Sequence, residues 1–123
     1  PMTSQMAAAI LPLAEQRGVP VVSPLAGANE LSRRRDGFFR VVSDAATSAR
    51  QLGRAMYRRG LRRVVPVTDI GNATFTRGWN TALAEQFVAD GGSALPALEY
   101  VAGPGVRFVE LAQRVAASDA DAM

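Results

Sequence analysis

The sequence predicts an α/β fold with a mainly parallel sheet. Two observations carry this expectation. Short runs of β-branched and aromatic residues alternate along the chain with longer stretches of helical period. Several of those runs are almost wholly apolar, as strands covered on both faces of a parallel sheet are. At 48% hydrophobic and 20% charged, the 123 residues have a globular composition, so these patterns belong to packed elements rather than to a disordered chain.

Pro1 to Ser4 reads as the end of a strand or the loop after it, and Thr3 or Ser4 can cap the helix that follows. Met6, Ile10 and Leu13 fall at i, i+4 and i+7 and are expected to face a sheet. Pro12 lies inside this helix and predicts a kink; Gly18 is placed to end it. Val19 to Ser23 reads as a short strand buried on both faces, with Pro20 near its first position. Ser23 to Asn29 is then a loop of small residues at the strand's carboxyl end, where open α/β sheets bind ligands. Asn29-Glu30-Leu31 reads as one helical turn, and Ser32 to Gly37 as exposed loop.

The run Phe38-Phe39-Arg40-Val41-Val42-Ser43-Asp44 organises the chain. It is extended in character, opened by Asp36-Gly37 and closed by two good N-caps, Ser43 and Asp44. Taken alone, it is an ordinary strand. The helix from Ala45 to Arg59 carries an apolar stripe at Ala45, Ala49, Leu52 and Met56, with Arg58-Arg59 suiting its C-terminal dipole and Gly60 ending it. Arg63 to Thr68 is the next strand, in which Pro66 predicts an edge or a bulge.

A loop from Asp69 to Ala73 leads into a helix from about Thr74 to Ala89. Phe75, Trp79, Leu83 and Phe87 recur there every fourth residue; most are expected in the core, and Phe75 alone is placed to reach a cleft. Asp90-Gly91-Gly92 stops the helix. Leu95 to Val101 is a strand, Gly103-Pro104-Gly105 a turn, and Val106 to Ala117 an amphipathic helix through Phe108, Leu111 and Val115. Asp119 to Met123 reads as the lead-in to a further strand. The chain lacks an initiator Met, so both ends are expected to be cut from a longer protein, with any signal peptide upstream.

The chain has neither Cys nor His, which excludes Cys nucleophiles, Ser-His triads and His- or Cys-held metals within it. All fourteen basic residues are Arg, as codon bias in a GC-rich genome would produce. Arg33-Arg34-Arg35, Arg58-Arg59 and Arg62-Arg63 are not interleaved with aromatics and read as solvated surface, not as a nucleic-acid face. No glycine-rich phosphate loop and no acid/base pair of carboxylates is present, and no cofactor is expected. The polar groups able to converge on a ligand are Thr3, Ser4, Ser23, the backbone of Leu25, Ala26 and Gly27, and the loop after Thr68. Thr3-Ser4 opens a helix, where free amides favour an anion. Capping alone also explains these two residue types.

The order Pro1-Met2-Thr3-Ser4, Leu13-Ala14-Glu15, Gly18-Val19-Pro20-Val21-Val22-Ser23-Pro24 and Glu30-Leu31 resembles the type I periplasmic binding proteins, and within them the branched-chain amino acid (Leu/Ile/Val) binding group of ABC importers. Phe38-Phe39-Arg40 followed by Ser43-Asp44 is similar to that family's first interlobe crossover. Thr68-Asp69 with Phe75-Thr76-Arg77-Gly78 resembles its "D…YG.G" segment; Asp90-Gly91-Gly92 and Asp121-Ala122 also fit. The resemblance spans the whole chain, while the chain spans about the middle third of such a protein. It rests on the order and spacing of motifs that are individually weak.

The resemblance implies a parallel-sheet fragment with parts of both lobes: residues 1–42 in the N-terminal lobe with the first crossover, and 43–123 in the C-terminal lobe. It implies a non-enzymatic solute-binding protein, periplasmic or extracellular and lipid-anchored, that delivers an amino acid or small carboxylate to an ABC permease. Ser4, backbone groups near Leu25 and the residue at Gly27 would hold the ligand's α-carboxylate and α-ammonium, and Phe75 would cover it from the other lobe. Gly27 stands where the family commonly has Thr, and Phe75 lacks the phenol of the usual Tyr, which counts against an ordinary branched-chain ligand. The same fold also serves receptor ectodomains and amide-responsive regulators, so ligand sensing is the alternative function. A flavodoxin-like enzyme is the third, disfavoured by the missing acid/base set.

Overall fold

A computed structural model describes residues 1–32 and 36–123. Arg33-Arg34-Arg35 lies outside the described residues, and with it the middle of the expected loop from Ser32 to Gly37.

Helix α1 (Ser4–Gln16) opens the chain, followed by β1 (Val21–Ser23), a 3-10 turn (Asn29–Leu31) and β2 (Phe38–Arg40). β1 and β2 pair in parallel, Val21 beside Phe38 and Ser23 beside Arg40. Then come α2 (Ala45–Arg58), β3 (Arg63–Val64), β4 (Val67–Asp69), α3 (Ala73–Ala89), β5 (Ser93–Ala94), β6 (Leu98–Tyr100) and α4 (Phe108–Ala117). β3 pairs with β5 and β4 with β6, again in parallel. Every named strand pair is thus parallel, as the near-continuous apolar runs predict.

The breaks in the second set of strands fall at prolines. Arg63 pairs with Ser93, but Val67 pairs with Leu98, so the Ser93 side carries one extra residue around Pro96. Pro66 has no N–H to give the ladder, yet its carbonyl accepts from Leu98 N–H at 2.9 Å. Pro66 therefore sits at an interruption, not at an outer edge. The strand expected over Leu95 to Val101 begins two residues earlier and is split at Pro96. Ala122 bridges Val64 in parallel on the other side of β3. The Asp121 carboxylate pins this segment by accepting from the Arg62 and Arg63 N–H groups at 2.8 and 2.9 Å. These backbone donors hold its carboxyl below the usual carboxylate range.

Three helices end alike. Gly18, Gly60 and Gly91 adopt positive φ just past α1, α2 and α3. In each case the glycine N–H and the next N–H bond back to the last turn, as in Val19 N–H to Ala14 C=O at 2.9 Å.

Two hydrophobic clusters hold the elements. Ala7, Leu11 and Ala14 of α1 pack with Val21, Ala26, Ala28 and Leu31. Ala46, Ala49 and Met56 of α2 pack with Val64 and with Ala82, Leu83 and Phe87 of α3. Several expected faces are corrected here. Met6, Ile10 and Leu13 are 49%, 42% and 52% exposed, and α1 instead buries Ser4, Ala7, Leu11 and Ala14. Small side chains let α1 lie close to β1 and its loop, whereas the larger set would hold it away. Leu52 is likewise exposed; Gly53 faces α3, where a side chain's first carbon would come within 3.0 Å of the Leu83 carbonyl. β1 is covered on one face only, since Val22 is 64% exposed. Pro12 does not break α1, which runs from Ser4 to Gln16 without interruption. In α4, Phe108 is exposed, and Leu111 and Val115 are half-buried. Along α3 burial is graded: Phe87 and Leu83 are buried, while Trp79 and Phe75 are half-buried.

Candidate functional site

Thr3 and Ser4 have separate tasks. Thr3 is the N-cap of α1, with extended backbone, and its Oγ1 accepts from Met6 N–H at 3.1 Å. Ser4, the first helical residue, is buried; its Oγ accepts from the N–H of fully buried Ala28 at 3.1 Å. Its hydroxyl hydrogen has no acceptor among the described residues.

Ser23 closes β1 and is fully buried. Its Oγ donates to the Pro1 carbonyl at 2.8 Å and accepts from Ala26 N–H at 3.0 Å, with a longer contact to Leu25 N–H at 3.4 Å. Ser23 thus turns the chain into the loop and ties β1 to the start of the chain. Ala26, Gly27 and Ala28 are buried, whereas the Leu25 side chain is exposed. The Gly27 carbonyl accepts from Ala45 N–H at 2.8 Å, and the Gly27 N–H has no acceptor among the described residues. Among the described residues, the donors left uncommitted around this loop include the Ser4 hydroxyl and the Gly27 N–H.

Phe75 reaches the same loop from the first turn of α3. A first side-chain carbon on Gly27 would lie 3.4 Å from the Phe75 ring and 3.4 Å from the Ser43 carbonyl. Phe75 stacks on Trp79, with centroids 5.7 Å apart and planes at 29°. Beside them the Thr74 hydroxyl donates to the Gln5 side-chain oxygen, joining the first turns of α1 and α3. The site residues expected from sequence thus fall into one neighbourhood at the carboxyl end of β1. Within it, Thr3 and Ser23 spend their hydroxyls on backbone groups.

Four residues support this neighbourhood; the sequence marks Asp44 as a cap and Asp69 as part of a loop, but gives no sign of the partners of Arg40 and Asn29. Arg40, in the middle of an apolar run, donates to the Ala28 carbonyl at 2.9 Å and to the Ser32 hydroxyl. Asn29 Oδ1 accepts from Ala46 N–H at 2.8 Å. Asp44 caps α2, accepting from Thr47 N–H at 2.9 Å; that backbone bond leads the effects that hold its carboxyl below its usual range. Asp69 orders the loop before α3, accepting from Gly71 N–H at 2.9 Å and Ala102 N–H at 3.1 Å. Among the described residues, no three carboxylates gather as a metal site requires. An open groove of about 710 Å³ lined by Glu15, Gly18, Pro20 and Gly37 lies at the amino end of β1, the end opposite to this loop.

The whole chain, residues 1–123, matches the family described as periplasmic binding protein. The chain belongs to that family. Solved structures agree in fold. A solute-binding protein of an ABC transporter from R. palustris, in complex with benzoate, superposes with a TM-score of 0.83 at 26% identity, over 98% of this chain and 34% of that one. A second from R. palustris, in complex with 4-hydroxybenzoate, gives 0.86 at 20% identity, over 100% and 33%. A leucine binding protein from Thermotoga maritima gives 0.81 at 22% identity, over 94% and 33%. The chain spans about a third of the length of these structures. No curated protein sequence matches it significantly. The fold is therefore the parallel α/β fold of type I periplasmic binding proteins.

Proposed function

We propose that the chain builds part of the ligand cleft of an extracytoplasmic solute-binding component of an ABC importer, capturing a small organic carboxylate without catalysis. In this reading residues 1–42 belong to one lobe and 43–123 to the other, and the run Phe38–Asp44 crosses between them. The observation that carries it is that the loop after β1 takes the Ser4 hydroxyl at Ala28 on one side and the Phe75 ring at Gly27 on the other. Two free donors beside a helix N-terminus suit a carboxylate, and an aromatic pair from α3 suits the apolar body attached to it.

Ser4 and the loop from Leu25 through Ala26 to Gly27 contact the ligand, Phe75 covers it, and Thr3 and Ser23 hold the framework. Gly27 offers no hydroxyl to an α-ammonium group, which favours a plain carboxylate over an amino acid. The relatives in complex with benzoate and 4-hydroxybenzoate support an aromatic acid; the leucine binding protein keeps an amino acid as the second reading. The partner is an ABC permease, and the location is extracytoplasmic. Calorimetric titration of the intact protein with benzoate, 4-hydroxybenzoate and leucine tests this. One saturable site for an aromatic acid, with weaker or no heat from leucine, is expected. No binding of any of the three would refute it.

A further inference from the structure

The geometry points to Asn29 and Gly78 as a positioning pair that fixes how α3, and with it Phe75, seats on the ligand loop. The inference rests on the reading of that loop as one wall of a cleft. Asn29 begins the 3-10 turn directly after the loop and is half-buried. Its Oδ1 accepts from Ala46 N–H at 2.8 Å, and this bond sets the amide's orientation, because only the oxygen can accept. The Nδ2 end then turns to α3, where a first side-chain carbon on Gly78 would lie 3.1 Å from it. That is closer than ordinary van der Waals contact.

Gly78 and Phe75 lie three residues apart in α3, hence on one face of it. Gly27 and Asn29 lie two apart in the loop. The two contacts are reciprocal. The loop's glycine receives the helix's ring, and the helix's glycine receives the loop's amide. A side chain on Gly78 would push against Asn29, which gives way only by straining its bond to the Ala46 N–H. The helix would instead lift, carrying Phe75 off the Gly27 side of the site. Neither residue touches the ligand in this arrangement; both set the height of the residue that does.

The test is Gly78→Ala in the intact protein, read by benzoate calorimetry and by thermal melting. Alanine has the higher helix propensity, so a purely local effect would hold or raise the melting temperature. The pairing predicts that benzoate binds about tenfold more weakly all the same, about 1.4 kcal/mol of binding free energy. A second variant, N29S with G78A, shortens the opposing side chain. It is expected to bind benzoate within about threefold of Asn29→Ser alone, by the logic of a double-mutant cycle. Benzoate affinity within twofold of wild type in Gly78→Ala would overturn the inference. So would a loss that Asn29→Ser fails to relieve, or one that tracks a lowered melting temperature. Wild-type protein that binds none of benzoate, 4-hydroxybenzoate and leucine would overturn the importer reading and this inference with it; binding that ignores Gly78→Ala overturns the inference alone.

Discussion

Ser4→Ala removes an oxygen that serves two groups at once. Its Oγ accepts from the N–H of Ala28, a residue with no exposed surface. Without that oxygen the N–H is left buried and unpaired, at a cost of about 1–3 kcal/mol in folding stability. The same change deletes the hydroxyl hydrogen that, in the proposed reading, donates to the ligand's carboxylate. A hydrogen bond to a charged group is worth about 1.5–3 kcal/mol, so affinity should fall by about tenfold or more. Thr3→Ala is the comparison, because Thr3 is the cap: losing its bond to Met6 N–H should cost about 1 kcal/mol and disturb binding less than Ser4→Ala does. Thermal melts and benzoate titrations of the intact protein give both quantities. If Ser4→Ala binds benzoate as tightly as the parent, Ser4 lies outside the site. If its stability also stays within about 0.5 kcal/mol, the Ala28 bond does not hold the loop as argued.

The core should respond in proportion to burial: Phe87→Ala, with no exposed surface, should cost about 3–5 kcal/mol by denaturant unfolding, and half-buried Trp79→Ala clearly less. Gly27→Thr puts atoms onto the Phe75 ring and the Ser43 carbonyl, each already 3.4 Å from the first added carbon, so benzoate affinity measured by calorimetry should drop. The Asp44 carboxyl is held below its ordinary 3.8 in the folded chain, chiefly by Thr47 N–H. A depressed folded value means that its stabilisation is fully present above the ordinary 3.8 and is lost as pH falls from there through the folded value. Melting temperatures from pH 5 to pH 2 should therefore fall more steeply for the parent than for Asp44→Asn, which keeps an acceptor but does not titrate in this range. Parallel curves would refute it.

Element order was legible because it is written in periodicity, and the ends of α1, α2 and α3 because each needs a glycine where φ is positive. Helix faces were less legible. Hydrophobic period selects Met6, Ile10 and Leu13, the largest apolar set on α1. Packing selects Ser4, Ala7, Leu11 and Ala14, because close approach to the sheet rewards small side chains as well as apolar ones. Leu52 and Gly53 repeat the lesson on α2. Ser4, Gly27 and Phe75 were marked first by their places at a helix start, in a strand-end loop and at the N-terminal end of a helical stripe; the family resemblance then gave each a role. Asn29 and Arg40 escaped notice because their partners are main-chain groups remote in sequence, the Ala46 N–H and the Ala28 carbonyl, which no side-chain motif reveals.

Helix N-termini decide which way a carboxylate would point in the proposed cleft. The first turn of α2 faces the loop, but its amides are spent: Ala45 N–H on the Gly27 carbonyl, Ala46 N–H on Asn29, and Thr47 N–H on Asp44. That terminus supports the loop and has no donor left in those three for a ligand. In α1 the N-cap takes Met6 N–H, and Ala7 N–H goes to the Thr3 carbonyl, which leaves the first two amides, at Ser4 and Gln5, without acceptors among the described residues. They lie beside the free Ser4 hydroxyl. In the proposed reading an anion is therefore drawn to α1 rather than to α2, with its charge solvated by amides and a hydroxyl. Its apolar body then extends toward α3, where Phe75 stacked on Trp79 offers a flat apolar wall. In the proposed reading that polarity, donors on one side and rings on the other, matches an aromatic carboxylate better than an aliphatic amino acid, whose ammonium would find no side-chain acceptor at Gly27.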